Sequence, residues 1–442
     1  MPAPKPDRMS TIHIAGAGLA GLACALRLAE AGRRVVVYEA AAQAGGRCRS
    51  FHDAALDRTL DNGSHMVLSG NRALLGFLDS VGARDRLTEV RPAAFPFLDL
   101  RTGSAWTLQP GGTWLFDPAR RVAGSRARDY LAALKLLTAG ASATVTDVLP
   151  PGSPLHERLW APLAVSGLNM PPERASARLF AAMLRETLLR GEAACRPLIV
   201  PEGLSHAVIA PALARLQALG ATVHRNTRVE AVERSGLRAT GFRAAGTRVD
   251  LGPADSLVLA LPAWGTGRLL PELTVPPPGP AIVNAHFRLD RAAALPGGLP
   301  FLGLVGGTAE WLFARGDVVS VTVSAADHLA TQPADDVGAL LWADVARAFG
   351  RTAPVPPCRV VKERRATIDQ SPAHTASRPP ARTAWNNLFL AGDWTDTGLP
   401  ATLEGAVRSG EAAALAALNT RTTSFARLGL FPAFTLRRSR HI

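Results

Sequence analysis

The sequence predicts an α/β chain: a parallel-sheet domain built on a glycine-rich turn, interleaved with a second domain of mixed sheet and helices. Three observations predict it. Near the N-terminus, a short strand, a G-x-G-x-x-G turn, a helix, a second strand and an acid follow one another in IHIAGAGLAGLACALRLAEAGRRVVVYE. Near the C-terminus, the apolar run NLFLA leads into GDWTDTGLPATLEGAVRSG, a Gly-Asp turn and a helix of small residues. Between them, Ala/Leu-rich helical stretches give way to alternating strand-like segments. A chain of 442 residues is also too long for one small core, so two domains are expected.

The first unit reads in order. Residues 11–15 form a buried strand, and Gly16-Ala17-Gly18-Leu19-Ala20-Gly21 open a helix that Gly32 ends. RVVVYE, residues 34–39, is the next strand. Gly16 lets the chain turn tightly, Gly18 lets the backbone approach a pyrophosphate, and Gly21 lets helix and strand pack closely. The helix N-terminus offers free N–H groups to phosphate oxygens. Glu39, 18 residues after Gly21, ends the second strand, where an acid accepts hydrogen bonds from ribose hydroxyls. This is a Rossmann-like dinucleotide unit.

Gly45-Gly46-Arg47 follows directly. In flavoproteins of the glutathione-reductase-like type, such an element carries an arginine to the flavin side of the pyrophosphate. An NAD site has no need of it, so the expected cofactor is FAD. Here the chain begins to resemble the superfamily of FAD-dependent amine oxidases and phytoene desaturases. Asp61-Asn62-Gly63-Ser64-His65 resembles that superfamily's D-x-G turn beside the isoalloxazine, and Gly63 is assigned to the cofactor site. His65 is the first candidate for proton chemistry.

From residue 74 to 191 no nucleotide signal appears. ARDYLAALKLLTAGAS, residues 127–142, reads as an amphipathic helix. Residues 159–170 and the following PPERASARLFAAMLRETL read as helix, turn, helix, broken at Pro171 and Pro172. These apolar helices suit a substrate domain, although ordinary core packing explains the same residues. The first domain resumes near Pro197, with a helix over 205–219, strands at 221–224 and 229–233, and VLALPAW. In related flavoproteins a strand at the position of Val229 meets the adenine through its backbone. A second substrate segment follows with the strands IVNAHFRLD, EWLFARG and DVVSVTVSA. Finally, residues 387–391 return to the parallel sheet. Gly392-Asp393 turns there, placing Asp393 for a ribityl hydroxyl or pyrophosphate water. The helix from Glu404 aims its N-terminus at the flavin edge that turns negative on reduction.

The expected boundaries are residues 9–80, 195–275 and 385–420 for the FAD-binding domain, 81–194 and 276–384 for the substrate domain, and 421–442 for an apolar, basic tail. LAVSGLNMPPERASA, PLIVPEGLSHAV, EWLFARG, KERRATIDQSP and the C-terminal stretch together resemble one family. It is the squalene-associated FAD-dependent desaturases, also called the hydroxysqualene dehydroxylases. That family usually carries Gln where this chain has Ser64. The resemblance implies reductive removal of an allylic hydroxyl from hydroxysqualene to give squalene. The acid candidates are His65, Asp61 and Asp396, in that order. A carotenoid or phytoene-type desaturase is the alternative. An amine oxidase is a weaker one, because Thr402 stands where those enzymes place an aromatic of the cage beside the flavin. A non-catalytic flavin-binding or membrane-scaffold protein is the remaining reading.

Composition narrows the partners. The formal charge is +13, but 46 of the 49 basic residues are arginines scattered along the chain. That argues against a nucleic-acid face and leaves attraction to an anionic membrane surface. Cys24, Cys48, Cys195 and Cys358 form no CxxC pair, so neither a zinc site nor a disulfide framework is expected. The opening MPAPKPDR lacks the apolar stretch of a signal peptide. No run of about 18 apolar residues predicts a membrane span. The tail SFARLGLFPAFTLRRSRHI sets Phe425, Leu428, Phe431 and Phe434 three apart, ahead of Arg437, Arg438 and Arg440, as an interfacial anchor would. The expected location is cytoplasmic, peripheral at the inner face of the membrane. No second nucleotide fingerprint is present, so electrons are expected from an external donor.

Overall fold

The structure, a computed structural model, describes residues 10–419; the tail proposed as an anchor lies outside them. Five strands form an all-parallel sheet in the order Thr222–His224, Arg34–Tyr38, Thr11–Ala15, Ser256–Leu259, Leu388–Leu390. Three of its strands are near-continuous apolar runs because the sheet is covered on both faces. Ile12, Ile14, Val258 and Phe389 pack on one side under the helices Leu19–Glu30 and Leu403–Leu418. Ala15, Leu257, Leu259, Leu388 and Leu390 pack on the other, under the antiparallel strands Val229–Ser235, Arg238–Ala244 and Thr247–Asp250. The period of two along each strand sorts the residues.

The two covering helices meet almost backbone to backbone. A Cβ on Gly410 would sit 2.3 Å from the Ala20 carbonyl oxygen. The small-residue character of the C-terminal helix is therefore a packing requirement, and it ties the last element of the fold to the first.

The second sheet has seven strands in the order Cys358–Glu363, Ile282–Arg288, Val318–Val323, Trp311–Arg315, Phe301–Val305, Phe95–Asp99, Ala105–Leu108. All neighbours are antiparallel except Phe301–Val305 with Phe95–Asp99. One face packs on the helix Ala334–Ala348 through Val283, Phe287, Val321 and Trp342. The other turns Phe97, Trp106, Phe301 and Trp311 toward a helical layer that holds Trp160, Leu179 and Phe180.

Three predicted helices differ in detail. The segment expected as an α-helix over 127–142 is a 3₁₀-helix, Ala127–Thr138. Its inward residues Tyr130, Ala133 and Leu136 recur every third position, which three residues per turn keeps in line. The helices predicted over 159–170 and 205–219 each open with a π-helical turn, His156–Trp160 and Ser205–Ile209. The first continues as Ala161–Leu168 and closes on Asn169 at φ 51°.

Candidate active site

The glycine turn is built as its sequence requires. Gly16 has φ +105°, and a Cβ there would lie 2.4 Å from the Ala260 carbonyl oxygen. A Cβ on Gly21 would lie 2.0 Å from the Gly16 oxygen. Gly18 is different: a Cβ there would meet no protein atom within 4 Å. Its value is the open approach in front of the helix. Gly18 caps that helix with no side-chain bond, and no acid stands in the first turn, so the first N–H groups remain available to an anion. Glu39 leans over the same turn. Its Oε2 accepts from the Ala17 N–H and its Oε1 from the Ala41 N–H, both at 2.8 Å. Each oxygen keeps acceptor capacity for a hydroxyl. Thr227 donates its N–H to the Glu39 carbonyl, which brings the start of the strand at Val229 beside the acid.

Gly45 donates to the Ala17 carbonyl, and a Cβ on Gly46 would come within 3.4 Å of the Gly18 α-carbon. The GGR element thus lies on the fingerprint turn and projects Arg47. The guanidinium donates to Asp393 Oδ1 at 2.7 Å and to the Ala366 carbonyl. The Asp393 carboxylate raises its pKa further. The Arg47 side chain keeps 39% of its surface yet is ringed by protein, because it lines a cleft with Asp393, Trp264, Thr367, Ile368 and Trp394. The first and last motifs of the sequence therefore meet at the Arg47–Asp393 pair.

Asp393 is held by a residue that the sequence reading missed. Arg378 is buried and donates to four backbone carbonyls: Asp393, Trp394, Thr395 and Leu399. Its guanidinium is the hub of the turn that follows Gly392. Gln370, also buried, joins the same loop by accepting from the Ala401 N–H while donating to the Leu168 carbonyl.

The Asp61–His65 turn leaves a separate two-stranded sheet, Ser50–Asp53 with Arg58–Asp61, and meets the second sheet at Asn284. A Cβ on Gly63 would approach the Asn284 amide to 3.4 Å. Asn284 is buried and accepts from Thr322 Oγ1. Asn62 donates to Glu363 Oε2 at 3.4 Å, and Glu363 in turn raises the Arg47 pKa. His65 is solvent-accessible, but protein surrounds it on most sides. Burial pulls its pKa down; Asp61 opposes that and the Arg47 charge adds to it. A neutral imidazole able to donate one hydrogen bond is the result at neutral pH.

Three acids that the sequence singled out have protein partners of their own. Asp61 is spoken for: Oδ1 accepts from Ser50 Oγ and the Leu204 N–H, and Oδ2 pairs with Arg315 at 2.7 Å. It holds the turn and offers no free acid. Asp396 is exposed and caps its own turn by accepting from the Gly398 N–H. The Glu404 carboxylate is taken up by protein partners. It accepts from the N–H groups of Ala73 and Leu74 at the start of the helix Arg72–Ser80 and from Arg408. A buried acid at a helix N-terminus is stabilised there, so Glu404 acts as a clamp between helices. Thr402 caps the last helix, its Oγ1 accepting from the Gly405 N–H at 3.1 Å.

An uncapped helix N-terminus, an open glycine, an acid with spare lone pairs and a cleft arginine together fit a flavin dinucleotide. Fold and site define an FAD-binding oxidoreductase. The family model described as flavin containing amine oxidoreductase matches residues 19–418. A hydroxysqualene dehydroxylase of Sinorhizobium fredii is 44% identical over 93% of this chain and 99% of its own length. Another, from Rhodopseudomonas palustris, is 45% identical over 91% and 97%. Among solved structures, cyclohexylamine oxidase from Brevibacterium oxydans superposes with a TM-score of 0.69 at 15% identity, over 93% of this chain and 99% of its own; that likeness concerns the fold. The chain belongs to the flavin containing amine oxidoreductase family and, within it, to the hydroxysqualene dehydroxylases.

Proposed function

We propose that this enzyme replaces the allylic hydroxyl of hydroxysqualene with hydrogen, giving squalene. The full-length similarity to hydroxysqualene dehydroxylases carries the reading. Reduced FAD, when bound, supplies the hydride. The carbon–oxygen bond breaks, the carbon gains that hydride, and the hydroxyl gains a proton and leaves as water.

The chain's own residues have three tasks. Gly16, Gly18, Gly21, Glu39, Gly46, Arg47, Gly63, Val229, Gly392 and Asp393 hold the dinucleotide. His65, next to that site and free of protein hydrogen bonds among the described residues, holds the leaving hydroxyl. The partly buried apolar side chains Met66, Leu163, Met183 and Phe313, each packed against the core that holds the aromatic sheet face, receive the chain and keep water from the allylic centre. Thr402, used as a helix cap, leaves an amine cage without one of its walls.

The domains divide as residues 9–80, 195–275 and 385–420 for the cofactor and 81–194 with 276–384 for the substrate. Electrons come from an external donor. The enzyme works at the inner, cytoplasmic face of the membrane; no helix among the described residues is long and apolar enough to cross one. The test is anaerobic incubation of photoreduced enzyme with hydroxysqualene, followed by lipid extraction. Squalene is the expected product. A more unsaturated polyene points to a desaturase, and unchanged alcohol with FAD still bound overturns the reading.

A further inference from the structure

The 3₁₀-helix Ala127–Thr138 is apolar on two sides. Tyr130, Ala133 and Leu136 face the core, where Tyr130 packs edge-on against Trp114 at 5.1 Å and its hydroxyl accepts from the Val122 N–H. One position further on, Leu131, Leu134 and Leu137 recur at the same spacing and are 60%, 52% and 44% exposed. Three residues per turn place them in one line. Phe116, 76% exposed, stands on the short helix Trp114–Phe116 that packs against the same segment. Four large apolar side chains are thus presented to solvent by two adjoining elements, a concentration that single exposed leucines do not give.

The charges in this segment are mostly basic. Residues 114–138 contain Arg120, Arg121, Arg126, Arg128 and Lys135 against only Asp117 and Asp129. Both acids are used locally: Asp117 accepts from the Ala119 N–H and Asp129 from the Arg126 N–H. Arg128, exposed, begins the leucine line itself. A second copy of the chain packed on this face by a two-fold axis would bring like charges together. An anionic lipid surface takes both features, apolar side chains into the acyl boundary and basic ones onto phosphates.

We propose that Phe116, Leu131, Leu134 and Leu137, with the basic residues of the same segment, form the face that this protein lays on an anionic bilayer. The assignment extends the membrane reading above, since a C30 alcohol must come from lipid. Its test reads vesicle binding rather than product, so the two fail separately. The measurement is co-sedimentation of the full-length, FAD-loaded protein with phosphatidylcholine vesicles, with and without phosphatidylglycerol. Wild type is expected to bind the anionic vesicles and to come off with salt. A variant carrying Phe116→Ser, Leu131→Gln, Leu134→Gln and Leu137→Gln is expected to bind about a hundredfold more weakly, with its flavin spectrum intact. Arg126→Gln with Arg128→Gln and Lys135→Gln is expected to lose the preference for phosphatidylglycerol. Wild-type binding by the apolar variant overturns the proposal. So does light scattering that shows a wild-type dimer dispersed by the same four substitutions.

Discussion

Arg378 is the sharpest place to test how the cofactor turn is held. Arg378→Met removes a buried guanidinium that donates to Asp393, Trp394, Thr395 and Leu399 carbonyls. Each carbonyl left buried without a partner costs about 1–3 kcal/mol. Against this, the variant no longer buries a charge, whose desolvation pulls the Arg378 pKa down despite the neighbouring Asp393 and Asp396. A net loss of ~3 kcal/mol follows, in the range seen when one partner of a buried charged network is removed. If the loop is ordered mainly in the FAD-bound form, that loss falls on binding, roughly a hundredfold in Kd at 1.4 kcal/mol per decade. Arg378→Lys keeps the charge but brings three donors on one atom, too few and too close together for four carbonyls. It is expected to fall between. The assay is fluorescence titration of apoprotein with FAD, alongside the thermal transition of the apoprotein. FAD binding by Arg378→Met within about threefold of wild type would refute the reasoning.

Three further outcomes are expected. Gly18→Ala, whose Cβ meets no protein atom, should fold normally and lose FAD affinity, whereas Gly16→Ala, 2.4 Å from a carbonyl oxygen at φ +105°, should lose expression or thermal stability first; titration and a melting curve separate the two. His65→Ala should lower kcat by about a hundredfold with the flavin spectrum unchanged, and an undiminished kcat removes His65 from the chemistry. Burial raises the Glu310 carboxyl from 4.5 to about 7, against the Ser324 N–H bond that favours its anion. The protonated form is therefore favoured by the fold, and this contribution is complete below the ordinary carboxylate range and lost as pH rises through about 7. Glu310→Gln should flatten that dependence and gain ~1–2 kcal/mol at pH 8 after allowing for part exposure, measured by denaturant unfolding at pH 5 and pH 8.

The two glycine motifs were legible because local backbone chemistry demands them wherever they occur. The fingerprint from Gly16 to Glu39 and the Gly392-Asp393 turn need no distant partner to be recognised, and their meeting at Arg47 followed once both were placed. The acids were harder. Asp61, Asp396 and Glu404 look alike in sequence, and only contacts far along the chain divide them: Arg315 takes Asp61, Ala73 and Leu74 take Glu404, while Asp396 caps its own turn. Arg378 is one of 46 arginines, with no local mark of burial. Asn284 did leave a signal: an amide in the otherwise apolar strand IVNAHF is costly unless it is paired, and it sits under Gly63.

The segment 127–138 shows how a period can be read wrongly while the residues are read rightly. An α-helix turns about 100° per residue, so positions three apart drift about 60° at each step. Over Leu131, Leu134 and Leu137 that drift would smear an apolar line across the helix surface and mix it with Tyr130, Ala133 and Leu136. At about 120° per residue the drift vanishes. Two separate apolar lines then survive, one buried and one exposed, with Asp129, Lys135 and Thr138 on the third. Amphipathicity at an α-helical period predicts a single buried face and treats the remaining leucines as excess. A period of three needs no excess: one segment seals the helical layer and still presents leucines outward, which a core-packing role alone does not require.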